Sequence, residues 1–184
     1  MRKLILVNGD LATGKSHFAI ILQNRFGFPL YTKDDFKERF ATAFPYSTYE
    51  ESHFLSNLAM EGLIERFKEI APSGGDLILE ANFRENYLKV FDALAKEYRY
   101  DILDINLVGT PEILFGRYMN RIVNENRHPV HLANRLDDLE KFTEYTLARR
   151  DEKLYGKVIT VNADDLSYQQ DKKLLEQIEE FLKD

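Results

Sequence analysis

Cysteine is absent from all 184 residues. That excludes disulfides, a thiolate nucleophile and cysteine-ligated zinc, and it agrees with a reducing compartment. Long apolar runs are absent as well. The first one, in "MRKLILVNGD", stops at Asn8, and no later stretch reaches eighteen apolar residues. A secretory h-region and a membrane span are therefore not expected, and the chain reads as soluble and cytoplasmic. Positive charge is also short: 25 Lys and Arg face 31 Asp and Glu, a formal net charge of −6. No global basic field draws this protein to nucleic acid or anionic lipid. Repeats, low-complexity tracts and linkers are missing too. The whole of 1–184 reads as one domain, long enough to bury a single core.

What is present alternates. Short apolar runs at 3–8 (KLILVN), 28–32 (FPLYT), 76–81 (DLILEA), 101–108 (DILDINLV) and 157–162 (KVITVN) have the length and composition of buried strands. Between them lie helical patterns. Phe54, Leu58, Leu63, Ile64, Phe67 and Ile70 recur at helical steps until Pro72, Gly74 and Gly75 end the run. Thr110-Pro111-Glu112 spells a helix start: a hydroxyl cap, a proline in the first turn and an acid for the dipole. Leu174, Leu175, Ile178, Phe181 and Leu182 form the apolar stripe of a last helix. Strands alternating with helices imply a parallel sheet covered on both faces, a three-layer α/β/α sandwich with five strands.

The first strand runs directly into "NGDLATGKSHF", in which Gly9, Gly14, Lys15 and Ser16 satisfy GxxxxGK[ST] between a strand and an amphipathic helix. In that setting the glycines expose consecutive backbone N–H groups, and the helix N-terminus adds its own, making a nest for phosphate oxygens. Gly9, Asp10, Leu11, Ala12, Thr13, Gly14, Lys15, Ser16 and His17 are the expected nucleotide contacts. Lys15 reaches the β/γ-phosphates, and Ser16 holds Mg²⁺. ATP and Mg²⁺ are thus the expected cofactors.

The rest of the chain selects among phosphate-loop functions. "TKDD" at 32–35 matches the guanine-reading pattern by letter, but it follows the very next strand rather than a late one. "DLILEA" lacks the Asp-Glu strand end of motor ATPases and offers only Glu80. "LYTKDDFKERF" fits a substrate-side acid: a carboxylate at the tip of the second strand faces a hydroxyl attacking the γ-phosphate. Lys37 lies one helical turn from Asp34 on the same face. Asp34 has a second reading, as the N-cap of the helix that follows.

The series "LILVNGDLATGKS", "YTKDDFKERF" and "LILEANF" resembles the small P-loop kinases of the polynucleotide-kinase, zeta-toxin and chloramphenicol-phosphotransferase group. The resemblance extends to about residue 164, with the P-loop its one sharp motif. It implies that Asp34 is the general base and that Lys37 contacts the phosphoryl group or the acceptor. Those kinases favour arginine at the latter position. It also implies that Glu80 stands near the metal, and it leaves Asn82 either as an acceptor contact or as a turn residue.

After the fourth strand, Arg117 and Arg121 sit one turn apart with Arg127 just beyond, within a lid expected at about 111–135. Guanidiniums there suit the charge spread over a phosphoryl group in transfer. His128 and His131 lack a third ligand at a metal spacing. Phe40, Phe44, Tyr46, Tyr49 and Phe54 are placed around the acceptor pocket, where they could stack on a planar substrate, though core filling accounts for most aromatics more simply; Asn162 and Ala163 are expected beside the adenine. The expected reaction is transfer of a γ-phosphoryl group to a hydroxyl. The acidic balance favours a small molecule such as a nucleoside, sugar or antibiotic over a nucleic-acid 5′-hydroxyl. An ATP-binding sensor without catalysis is the rival. Oligomeric state has no signature here.

Overall fold

In the computed structural model, which describes residues 1–124, 128–131 and 136–183, five parallel strands form one sheet. They are β1 (Arg2–Gly9), β2 (Leu30–Thr32), β3 (Leu77–Glu80), β4 (Tyr100–Val108) and β5 (Lys157–Asn162), in the order β2-β3-β1-β4-β5. Seven helices connect and flank them among the described residues: α1 (Lys15–Phe26), α2 (Lys33–Ala41), α3 (Tyr49–Ile70), α4 (Glu85–Tyr98), α5 (Pro111–Asn124), α6 (Leu139–Arg150) and α7 (Lys172–Lys183). Every expected strand is found within two residues of its expected bounds, because each is a short apolar run closed by turn residues.

The alternation of β-strand side chains sorts the core into two layers. Leu4, Leu6, Leu77 and Leu79 point to one face, where Leu63, Phe67, Leu88 and Phe91 of α3 and α4 cover them. Ile5, Val7, Ile78, Leu103 and Ile105 point to the other, under Phe18 and Leu22 of α1 and Ile178 and Phe181 of α7. All of these except Phe181 and Leu88 are wholly shielded from solvent, and each large side chain so buried contributes about 1.5–3 kcal/mol. A strand apolar on both faces is readable from sequence only as a continuous run, which is what these segments are.

Helix starts follow local chemistry. Thr48 and Glu51 form a reciprocal capping box at α3. At α2 the cap is Thr32, whose hydroxyl accepts from the Asp35 N–H at 3.1 Å. The alternative reading of Asp34 as the N-cap is thereby corrected: Asp34 sits in the first turn, and its carboxylate lines a cavity instead. Thr110 accepts the first α5 hydrogen bond through its carbonyl, from Leu114 N. Its hydroxyl, expected as a cap, donates to Asp164 Oδ2 at 2.9 Å and ties α5 to the segment after β5.

The register fixes what meets at the C-terminal edge of the sheet, where parallel α/β folds place ligands. Val7 pairs with Glu80 and Thr32 also pairs with Glu80, while Gly9 pairs with Leu107 and Val108 with Asn162. The loop after β1, the start of α2, Glu80 and the segment after β5 are thus neighbours in space, though they are far apart in the chain.

Candidate active site

The loop from Gly9 to Gly14 has the backbone its motif requires. Gly9 has φ 131° and lies against β4, where an added Cβ would stand 2.1 Å from Leu107 O. Gly14 has φ 90°, and its Cβ would come to 3.0 Å from the Tyr168 hydroxyl. Both conformations favour glycine, and the first allows nothing larger. Thr13 Oγ1 donates to Asp10 O at 2.9 Å, and Tyr168 OH donates to Thr13 O at 2.8 Å, so the loop is braced from inside and from behind. Lys15 is buried, and its ammonium donates to Gly9 O at 3.2 Å and to Asp10 O. Burial pushes this ammonium down to about 8, against the raising influence of Glu80, Asp10 and Asp34.

Ser16 Oγ donates to Glu80 Oε2 at 3.2 Å. Glu80 is buried at the end of β3, and burial pushes its carboxyl up to about 7 in spite of Lys15 nearby. A hydroxyl and a carboxylate side by side are the hard oxygen donors that Mg²⁺ takes. A buried carboxylate that is this reluctant to ionise is one a divalent cation would hold charged. The pair therefore fits the ion its motif implies. Among the described residues no cluster of three or more His, Asp or Glu is found.

A cavity of about 1000 Å³ opens over this loop. Most of the residues singled out from sequence line it: the loop from Leu11 to His17, Asp34, Lys37, Glu80, Asn82, Arg117 and Arg121. Asp34 is about half exposed, and its charge acts on both Lys15 and Glu80. His131 Nδ1 lies 3.9 Å from Asp34 Oδ1, and its Nε2 is 2.8 Å from Glu38 Oε1. Lys37 is buried and donates to Ser52 Oγ at 3.0 Å; Ser52 in turn donates to Val130 O.

Arg117 reaches the opposite end of the cavity. Its guanidinium donates to Ala163 O at 2.6 Å and to Asp164 O, gripping the segment after β5 in which Asn162 and Ala163 lie. Ala163 is fully buried, and Asn162 accepts from Asp164 N at 2.7 Å. Arg127 lies outside the described residues, as do parts of the lid interval 111–135. Of the five aromatics expected around the acceptor pocket, only Tyr49 lines the cavity. Phe44 and Phe54 pack edge to face on the exterior, while Phe40 and Tyr46 join Ala41, Leu55 and Val130 in a small core. Phe40 and Phe54 lie on helix faces turned from the cavity, and Phe44 and Tyr46 lie in the loop between α2 and α3.

Sequence reasoning missed the charged network beneath the loop. Asp10, expected only as a nucleotide contact, is wholly buried, and its carboxylate accepts from Arg149 at 3.2 Å, from Arg150 at 2.6 Å and from Gly109 N at 3.3 Å. Arg149, itself buried, also donates to Asn8 Oδ1 at 2.7 Å and to Asn106 Oδ1 at 3.3 Å. Asn8 Oδ1 accepts as well from Gly9 N and Phe83 N. This clamp fastens the C-terminal end of α6 to the first residues of the nucleotide loop. Asp10 and Asn8 were signals, being polar residues at the end of an apolar strand, but their partners lie about 140 positions on.

The strand order, the glycine-lined loop and the cavity above it are those of a P-loop kinase. No family model matches the chain, and no curated protein matches it in sequence. Solved structures do. A protein of Chloroflexus aurantiacus provisionally named a kinase is 26% identical, with a TM-score of 0.82 over 96% of this chain and 95% of that one. A sugar kinase of Janibacter sp. HTCC2649 is 18% identical, with a TM-score of 0.65 over 97% and 95%. Shikimate kinase of Bacteroides thetaiotaomicron is 18% identical, with a TM-score of 0.57 over 98% of each chain. Among the described residues no helix is long and apolar enough to cross a membrane.

Proposed function

We propose that the chain is an ATP- and Mg²⁺-dependent phosphotransferase that moves a γ-phosphoryl group to a hydroxyl of a small molecule. One observation carries this reading: Asp34, delivered by the tip of β2, shares a single cavity with the nucleotide loop and acts electrostatically on Lys15 and Glu80 within it. A carboxylate so placed accepts the proton of the attacking hydroxyl. Lys15 leaves the loop carbonyls for the β/γ-phosphates, whose charge restores its full protonation. Ser16 and Glu80 would hold Mg²⁺, which when bound would supply neutralisation of the charge developing on the phosphoryl oxygens. Arg121, on the cavity side of α5, brings a guanidinium over the phosphates, joined by Arg117 where it leaves the Ala163 and Asp164 carbonyls, with Arg127 following them in the chain. Lys37 stands on the acceptor side of Asp34.

Within the fold, the "TKDDFK" segment supports a place beside the polynucleotide-kinase, zeta-toxin and chloramphenicol-phosphotransferase group. The net charge of −6 supports a small acceptor over a nucleic acid, and the absence of cysteine supports a cytoplasmic setting. Replacement of Asp34 by Asn is the test. The expected result is a loss of about 10²–10⁴ in kcat with MgATP affinity preserved. If D34N transfers at the wild-type rate, Asp34 is not the base; if the wild type binds MgATP but phosphorylates no hydroxyl compound, the chain is a nucleotide sensor.

A further inference from the structure

The acceptor half of the cavity has two walls. One is a face of α3, from which Tyr49, His53, Ser56, Asn57 and Met60 recur at helical spacing. The other is the segment after β3, with Asn82, Arg84, Asn86 and Tyr87. Amides and hydroxyls dominate both. The one formal cation among these nine, Arg84, is already neutralised: its Nη2 is ion-paired with Glu152 Oε1, and its guanidinium lies 5.9 Å from the Tyr145 ring centre. Glu152 is held in turn by the Glu85 N–H at 2.7 Å.

The cations nearer the phosphate track are also engaged. Lys37 donates to Ser52 Oγ, His131 is bonded to Glu38, and Arg121 has a partner of its own. Lys33 stands beside Asp34 in the chain, and its charge acts on Glu80. Two features of the walls suit a polar ring compound. Asn82 Nδ2 is shielded from solvent and has no hydrogen-bond partner among the described residues, a donor whose isolation costs about 1–3 kcal/mol until an oxygen meets it. At the rim, Tyr49 is 58% exposed and stacked on His53 at 5.9 Å with an interplanar angle of 20°. It presents a flat apolar surface beside hydrogen-bonding groups.

Resting on the phosphotransferase reading, we propose that the acceptor is an uncharged polyhydroxylated ring compound, recognised by the amides of Asn57, Asn82 and Asn86 and seated against Tyr49. A polyol exchanges its water hydrogen bonds for those of amides and hydroxyls, which offer both donors and acceptors. A carboxylate entering the same walls loses its hydration and meets, among their nine residues, a single cation, Arg84, which is already paired with Glu152.

The test uses matched pairs that keep ring and hydroxyls and differ only in a free carboxylate: the methyl ester of methyl glucuronide and methyl glucuronide itself, methyl quinate and quinate, uridine and orotidine. MgATP binding is measured separately by calorimetry, and transfer by ADP release together with mass detection of the phosphorylated product. The neutral member of at least one pair is expected to show kcat/KM about tenfold or more above its carboxylate partner. Y49A and N82A are expected to raise KM for that acceptor about tenfold with KM for ATP unchanged. Carboxylates used as well as or better than their neutral partners overturn the proposal, as does an unchanged acceptor KM in both variants. If every compound is inert while MgATP binds, the acceptor class is wrong and the nucleotide site stands. If MgATP does not bind, the phosphotransferase reading itself falls.

Discussion

Replacing Arg149 by Met removes the guanidinium that joins Asp10, Asn8 and Asn106 and leaves a side chain of similar length. Its side chain is 3% exposed, and that of Asp10 is 0% exposed. Solvent therefore cannot replace what is lost. Two opposing considerations set the magnitude. A buried ion pair exchanged whole for apolar residues is often neutral, because desolvating both charges offsets their attraction. Removing one partner is different: Asp10 keeps its charge in the interior, with Arg150 and Gly109 N still bonded to it, and Asn8 loses its shortest side-chain donor. Because Arg150 still pairs with Asp10, the loss stays below that of an orphaned charge, about 1–3 kcal/mol, equivalent to a fall in Tm of about 2–12 °C for a chain of this size. Urea unfolding of wild type, R149M, D10N and the double variant measures it. The double variant is expected to be more stable than the sum of the single losses predicts, by about 1 kcal/mol or more. R25M supplies the contrast, because the Arg25–Glu179 pair is 43% and 32% exposed and its loss is expected to cost no more than about 1 kcal/mol. An R149M midpoint within about 1 kcal/mol of wild type, or strict additivity with D10N, refutes the idea that α6 clamps the nucleotide loop through this pair.

Gly9→Ala is expected to lower stability by more than about 3 kcal/mol, since the strained φ alone costs about 1–3 and the new methyl meets the β4 backbone at Leu107. A urea midpoint equal to that of wild type would show that the loop does not lie against β4. Asp104 gives the pH dependence. It is wholly buried, one of its carboxylate oxygens has no partner among the described residues, and burial raises it from the ordinary 3.8 to about 7. A raised acid binds its proton more tightly in the folded state, so its contribution to stability is full below about 3.8 and is lost as pH rises through about 7. D104N lacks this slope. It is expected to gain on the wild type by at least about 1 kcal/mol between pH 5 and pH 8, and unfolding curves that stay parallel across that range would count against the assignment.

How much was legible in the chain follows from the range over which each feature is encoded. Strands and helices are local: an apolar run, a Thr-x-x-Glu box or a Gly-Gly stop acts on its neighbours, so "KLILVN" and "DILDINLV" announced β1 and β4 without reference to anything distant. The nucleotide loop is equally local. Its shape is set by two glycines and a helix start within eight residues, and the backbone of Gly9 and Gly14 adopts what those letters demand. Asp34 was assigned from its distance to a strand tip, and the register that pairs Thr32 with Glu80 put it in the same cavity as the loop.

Tertiary structure alone decided the rest. Whether Thr32 or Asp34 capped α2 depended on a shift of two residues in where the helix began, and only the fold left Asp34 facing the cavity. Position in the chain placed aromatics near the acceptor but not their direction, and of the five only Tyr49 lines the cavity. The Asp10–Arg149–Asn8 network joins residues separated by about 140 positions, and no spacing rule reaches that far. What the chain determined by itself was each element and the chemistry at its end; which of those ends share a low-dielectric space, and so act on one another, was settled only when the sheet assembled in the order β2-β3-β1-β4-β5.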